Sequence, residues 1–332
     1  MIRKLALALA TTAGAILACE ALLALAGVSS HPPLYPGDVT PVEDQTFDPW
    51  IGWKMPPEAL LPETTEDYSV TYRSNRQGFR SRREFEVESG VRRIVFLGDS
   101  FTFGSGVEED ETFAALLEAR LGGARSYNLG IGGFGIDQMW RTLVHYGLPL
   151  EPDLVILAFI RNDLDRSLSA YRLGHAWLQK PTYRLVDGRL APLTVGNLPP
   201  AAWRWVERRS RLVELWRRAE SSLALRYAVG YRWRLNRALF AAVRDECRQA
   251  GVPLVVVHLP LNRRSAAPLL EREFAELEVP FLDLTPLLPP DADRLYYPRD
   301  HHFNAAGHRF VAEAIHRFLA ARRLTPSSVR RI

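Results

Sequence analysis

The sequence predicts an α/β domain: a doubly wound parallel sheet of five strands with a helical insertion. Three observations carry that reading. Short apolar runs rich in β-branched residues recur at 94–97, 154–159 and 254–258, unbroken in the manner of buried strands. Segments with helical spacing alternate with them, and such alternation means a parallel sheet covered on both sides. Glycine, serine, asparagine and aspartate cluster just after strand ends, the edge where open sheets of this kind hold ligands.

In chain order, Arg3 and Lys4 precede an apolar run from Leu5 to Val28, broken chiefly by Thr11, Thr12, Cys19 and Glu20. A basic start and an apolar run read as an export signal, and Ala24-Leu25-Ala26 suits a small-x-small cleavage site. The run also has roughly the ~20 residues a membrane span needs, although Glu20 is costly at a bilayer centre. Residues 1–28 therefore read equally as a signal peptide and as a membrane anchor. Either way the remainder is expected outside the cytoplasm, periplasmic or secreted. Residues 29–91 read as a proline-rich tether and short N-terminal extension. Within them, 31–62 is proline-rich, 68–72 alternates like a strand and 75–80 is a turn.

The main domain is expected over 92–322, with a tail at 323–332. Its first strand is 94–97. Residues 112–121 place Phe113, Leu116, Leu117 and Leu121 on one helix face. A strand at 126–129 and a helix at 136–146 follow, then strands at 154–159, 254–258 and 281–284. A helix over 304–319 closes the domain, with Phe310, Ala314, Ile315 and Phe318 inward. The alternation lapses over an insertion at about 164–231. Trp177, Trp203, Trp205, Trp216 and Trp233 fall in or just beyond it, and 201–240 holds ten arginines against Glu207, Glu214 and Glu220. This reads first as a helical cap whose tryptophans pack onto the core. The competing reading is a lid, or a surface for an anionic polymer or lipid headgroups.

Composition narrows the class. The chain has 332 residues, 47% hydrophobic and 24% charged, which is ordinary for one large globular domain with insertions. A net charge of +4 does not point to nucleic acid. There is no zinc-finger spacing, P-loop or dinucleotide-binding glycine motif. Two cysteines, Cys19 and Cys247, do not make a disulfide framework. Neither a cofactor nor a metal is expected; His301 and His302 adjoin Asp300 but have no third ligand at metal spacing.

The chemistry sits at four strand-end loops: Gly98-Asp99-Ser100; Asn128 through Gly135; Asn162-Asp163; and Asp300-His301-His302-Phe303-Asn304-Ala305-Ala306-Gly307. A doubly wound sheet brings all four to one edge. A hydrolytic serine needs a base for its proton and a group to orient that base. Ser100, His302 and Asp300 supply those types. The tetrahedral intermediate needs oxyanion donors, and the Ser100 N–H, a glycine N–H of the second loop and the Asn162 amide can converge as three.

On these residues the chain resembles the SGNH/GDSL hydrolases, esterases and acyl hydrolases on a flavodoxin-like fold. Gly98-Asp99-Ser100 matches the first block, 128–133 the second, Asn162-Asp163 the third and Asp300-x-His302 the last. The resemblance covers about 92–319. It implies Ser100 as nucleophile, His302 as base, Asp300 as orienting acid, and Ser100, Gly133 and Asn162 as the oxyanion hole. Gly133 is taken because it lies five residues after Asn128. His302-x-Asn304-x-x-Gly307 sets the register that favours His302 over His301. Two positions depart from the family pattern. Ile160 stands where the third block usually has glycine, and Arg299 where the last block usually has aspartate. The shorter Asp-x-His spacing resembles the branch associated with acylation of bacterial exopolysaccharides.

The expected function is that of a serine esterase cleaving or transferring a short acyl group, acetyl on a cell-envelope or secreted polysaccharide. Alternatives are a polysaccharide O-acetyltransferase, a lipase- or thioesterase-type acyl hydrolase, and a non-catalytic glycan-binding member of the fold. The expected partner is an acylated small molecule or polysaccharide, with membrane association through 1–28. The sequence is silent on oligomeric state. Other polar residues receive structural readings: His258 packed at a strand end, His145, His175, His308 and His316 on the surface, Asp99 shaping the serine turn and Asp163 bracing its loop. Arg161 is the cation considered for facing substrate.

Overall fold

The structure, a computed structural model, describes residues 2–28, 45–172, 175–193, 205–206, 209–216, 219, 229–261 and 268–324. Its centre is a parallel sheet of β5 (Arg92–Leu97), β6 (Ala124–Asn128), β7 (Leu154–Phe159), β12 (Leu254–His258) and β13 (Phe281–Asp283). The order across the sheet is β13-β12-β7-β5-β6. In chain sequence that is 5-4-3-1-2, the doubly wound order with a switch point beside the first strand. The register pairs Val95 with Val155 and Tyr127, and Val255 with Ile156.

Alternation along the strands divides the core. Ile94, Phe96, Ile156, Ala158 and Val257 face one side. There they meet Phe113 and Leu117 of α3 (Phe113–Leu121) and Val311 and Ile315 of α8 (Ala305–Ala321). Val95, Leu97, Val155, Leu157 and Val256 face the other. That side is covered by Met139 of α4 (Ile136–Thr142), Leu239 and Val243 of α6 (Val229–Gln249), and Phe274 of α7 (Pro268–Glu276). The expected 136–146 helix ends early: after Thr142 the chain continues through a wider turn over Leu143–Gly147.

One expectation gives way and another is refined. Residues 45–62 are not an extended tether. β1 (Thr46–Asp48) and β2 (Gly52–Lys54) form a hairpin whose turn is held by Asp48 Oδ1, which accepts from Trp50 N at 2.9 Å and Ile51 N at 3.1 Å. Burial of the Ile51 and Trp53 side chains explains why this stretch folds instead of spanning. A second hairpin, β3 (Leu60–Thr64) with β4 (Ser69–Arg73), follows. Residues 29–44 of the expected tether lie outside the described residues.

The insertion is helical at 205–206 and 211–216 but also carries strands. It opens with α5 (Arg161–Arg166) and continues as two hairpins, β8 (Tyr171–Arg172) with β9 (His175–Gln179), and β10 (Tyr183–Val186) with β11 (Arg189–Pro192). Alternation in the second hairpin seats Tyr183, Leu185 and Leu190 on the core. Trp233 packs there from α6, whereas Trp205 and Trp216 are each 59% exposed. Trp203 and the Trp177 side chain lie outside the described residues. At the N-terminus, α1 (Ile2–Leu25) presents the Glu20 carboxylate to Ser210 Oγ and to the backbone N–H groups of Arg211 and Leu212.

Candidate active site

The serine turn follows from local sterics. β5 ends at Leu97, and a Cβ on Gly98 would lie 2.7 Å from the Ala158 carbonyl, so only glycine fits beside β7. Asp99 then caps α2 (Ser100–Phe103), accepting from Phe101 N at 3.0 Å. Ser100 is thereby the first residue of a helical turn at the strand end.

The last loop delivers its partners. His302 Nε2 stands 2.8 Å from Ser100 Oγ. The opposite ring nitrogen, Nδ1, is bonded to Asp300 Oδ1, which also accepts from His302 N at 3.2 Å. Phe101 lies against the imidazole, ring centroids 4.8 Å apart. His301 between them has φ 66° and is exposed. Its left-handed backbone lets the two flanking side chains meet. Asn304 caps α8 through Ala306 N and Gly307 N and donates to the Arg294 and Tyr296 carbonyls. That bonding accounts for the His-x-Asn-x-x-Gly pattern. Burial by itself raises the Asp300 carboxyl. The bond and charge of His302, its backbone bond and the Tyr68 hydroxyl outweigh burial and hold it below the usual carboxylate range.

The glycine loop crosses in front of Ser100. Asn128 Nδ2 donates to the Thr102 carbonyl at 2.7 Å, tying this loop to the serine helix. A Cβ on Gly132 would come within 3.8 Å of the Ser100 Cβ. Gly133, with φ 82°, lines the same cavity, and a Cβ there would strike Arg172 Nε at 2.6 Å. Asn162, near the start of α5, also lines it. This cavity of about 690 Å³ is walled by Met55, Leu61, Glu63 and Tyr72 on one side and by Arg166 and Arg172 on another. A second cavity of about 630 Å³ meets the first at Ser100, Asn162, Arg166 and His302, and extends past Leu261, Asp293, Tyr296 and Tyr297. A hydroxyl, an imidazole and a carboxylate bonded in series can carry out nucleophilic acyl transfer.

Several functional neighbours were not singled out from sequence. Arg166 bonds Asp99 Oδ2 at 2.9 Å and Asp163 Oδ1 at 2.5 Å, bridging two fully buried carboxylates. Asp163 also accepts from Ile160 N at 2.9 Å, and this bond shapes the loop where Ile160 replaces glycine. Burial, then the charge of Asp99, pushes the Asp163 carboxyl up despite Arg166. The cations at the cavity are Arg166 and Arg172; Arg161 is exposed and lines neither cavity. The only sequence signal for Arg166 was its i, i+3 spacing from Asp163. His308, expected on the surface, is buried: its Nδ1 accepts from Phe113 N at 3.1 Å, joining α8 to α3. His258 is packed, 2.9 Å from Asp283 Oδ1. His145 stacks on Trp50 at 4.1 Å. Among the described residues no cluster of three or more His, Cys, Asp or Glu side chains suits a metal.

A model of the GDSL-like lipase/acylhydrolase family matches residues 96–310, more than half of the chain. A solved lipase/acylhydrolase from Enterococcus faecalis is 16% identical, with a TM-score of 0.41 over 70% of this chain and 97% of its own. An acetyl xylan esterase from Geobacillus stearothermophilus is 15% identical, with a TM-score of 0.40 over 69% and 96%. A two-domain esterase active on acetylated mannans is 17% identical, with a TM-score of 0.41 over 72% and 50%. No match was found among curated protein sequences.

Proposed function

The chain belongs to the GDSL-like lipase/acylhydrolase family and is a carboxylic ester hydrolase, and from that premise we propose that it removes a short acyl group from a polysaccharide through Ser100, His302 and Asp300. The observation that carries this reading is the bonded series Ser100 Oγ, His302 Nε2, His302 Nδ1, Asp300 Oδ1 opening onto the cavity. Ser100 Oγ attacks the ester carbonyl while His302 Nε2 takes its proton. The oxyanion is held by the Ser100 N–H, the Gly133 N–H and the Asn162 amide. His302 returns the proton to the departing alcohol, leaving an acyl-enzyme. Water then repeats the sequence, releasing the acid and regenerating Ser100. Asp300 orients the imidazole and stabilises its charged form.

Support for a polar substrate comes from the cavity walls, where Glu63, Asp165, Arg166 and Arg172 place charged groups among the apolar ones. The Asp-x-His resemblance and the acetylated glycans named for solved relatives support acetyl on a polysaccharide. The basic, apolar N-terminal segment supports a site of action outside the cytoplasm. Transfer to a sugar hydroxyl is the second reading, favoured by the second cavity, which gives an acceptor alcohol room beside His302.

The test is hydrolysis of p-nitrophenyl acetate. Ser100→Ala and His302→Ala each lower kcat by several orders of magnitude with the fold intact, and His301→Ala has a mild effect. Full activity in Ser100→Ala overturns the mechanism; total loss in His301→Ala exchanges the two histidines. Mass spectrometry of an acceptor glycan incubated with an acyl donor separates transfer from hydrolysis.

A further inference from the structure

We propose that the hairpin β3–β4, which precedes the hydrolase sheet in the chain, is the positioning element for Asp300 and acts through Asp67 and Tyr68. This rests on the reading of Ser100, His302 and Asp300 as the catalytic series. The hairpin tip is self-bonded: Thr65 Oγ1 accepts from Asp67 N and Tyr68 N at 3.1 and 3.2 Å. From that fixed tip, Asp67 Oδ2 accepts from both Arg299 N and Asp300 N, each at 2.8 Å. The Tyr68 hydroxyl donates to Asp300 Oδ2 at 3.3 Å. The two carboxylate oxygens of Asp300 are thus divided: Oδ1 serves His302 and Oδ2 is held by Tyr68.

The loop needs such a hold. Asp300 and His302 meet only because His301 adopts φ 66°, a conformation unfavourable for a non-glycine residue. Strained backbone persists where its surroundings over-determine it. Here the hairpin supplies two of those constraints on the N-terminal side of His301. On the loop's own side, His301 N donates to the Tyr297 carbonyl, and the Tyr297 ring packs on Tyr68 at 5.0 Å between centroids. The Tyr297 hydroxyl reaches the Gly106 carbonyl at 2.6 Å, so the brace is anchored beyond the serine helix as well.

Neither Asp67 nor Tyr68 touches the reacting atoms, so their removal should change turnover and its pH dependence but not the binding of a small ester. The experiment uses the full chain and p-nitrophenyl acetate, with Ser100→Ala as reference. Tyr68→Phe lowers kcat about tenfold at unchanged KM. It also moves the acidic limb of kcat/KM to higher pH, because Asp300 loses a donor that favours its ionised form. Asp67→Ala lowers kcat comparably, while Asp67→Asn, whose amide oxygen can still accept from both N–H groups, restores most of it. Glu66→Gln, altering the neighbouring carboxylate that pairs with Arg299 on the surface, leaves kcat unchanged. Should Asp67→Ala fail to fold, Tyr68→Phe carries the test, since it removes one oxygen atom. Wild-type kcat and pH profile in Tyr68→Phe, with Ser100→Ala inactive, overturn the brace alone. Wild-type activity in Ser100→Ala overturns the catalytic reading and the brace with it.

Discussion

His308 shows how one buried side chain sets a pH limit. It is fully enclosed, accepts from the backbone through Nδ1, and is pushed down to about 3 by burial, then by the charges of Arg80 and His302. The folded state therefore prefers the neutral ring, while the unfolded chain titrates near 6.5. Its contribution is fully present above about pH 6.5 and is lost as pH falls from there towards 3. Denaturant unfolding at pH 7.5 and pH 4.5 should show wild-type stability dropping by on the order of a few kcal/mol, and less in His308→Gln. An equal drop in both proteins would place the acid sensitivity elsewhere. At the same scale, one guanidinium, that of Arg166, offsets two buried carboxylates beside Ser100.

At the scale of elements, residues 45–91 touch three of the four loops of the site. Trp53 Nε1 donates to the Gly132 carbonyl at 3.0 Å. The Tyr72 hydroxyl accepts from Gly106 N at 2.9 Å and donates to Glu63 at 2.6 Å. Arg80, buried, donates to the carbonyls of Phe103, Gly104 and Val107, at 3.1, 2.5 and 2.5 Å, and so fixes the chain leaving the serine helix. Arg80→Met leaves three carbonyls without that donor, at about 1–3 kcal/mol each where burial is complete. Calorimetry should show a Tm lower by roughly 10 °C for a domain of this size, with kcat reduced as well. A Tm within a degree or two of wild type would show that the loop holds itself. The buried Lys180–Asp137 pair plays a similar part, joining the insertion to the start of α4 behind the glycine loop.

For the whole molecule, the decisive feature is Ser100 at the junction of two cavities whose walls carry charged side chains. Such a site should discriminate by acyl length: kcat/KM for p-nitrophenyl esters falls at least tenfold from acetyl to octanoyl. Replacing Glu63 or Arg172 with leucine narrows the gap. A rising series would indicate a lipid-type acyl hydrolase.

The parallel sheet was legible because its strands are continuous apolar runs and its helices keep one face apolar, both local periodicities. Ser100, Asp300 and His302 were legible because they fall within short motifs at strand ends, and a doubly wound sheet carries strand ends to one edge. Residues 45–62 were misread as a tether because prolines between aromatic residues look extended until Trp53 and Ile51 find a core to enter. The arginine-rich part of the insertion is helical where it is described, at 211–216 and from Val229 onward; the hairpins before it are set by alternation against the core, which the sequence reading did not pick out.

By itself the sequence determined the sheet, the order of its strands in the chain and the residue types delivered to its edge, since these follow from spacing over a few residues. Only the tertiary structure decided what holds and walls that edge: Arg166 between two carboxylates, Arg80 on the serine loop, and Asp67 and Tyr68 on Asp300. Tyr68 and Asp300 lie 232 residues apart, and no periodicity relates them. Their meeting is fixed by how a hairpin packs across a finished sheet.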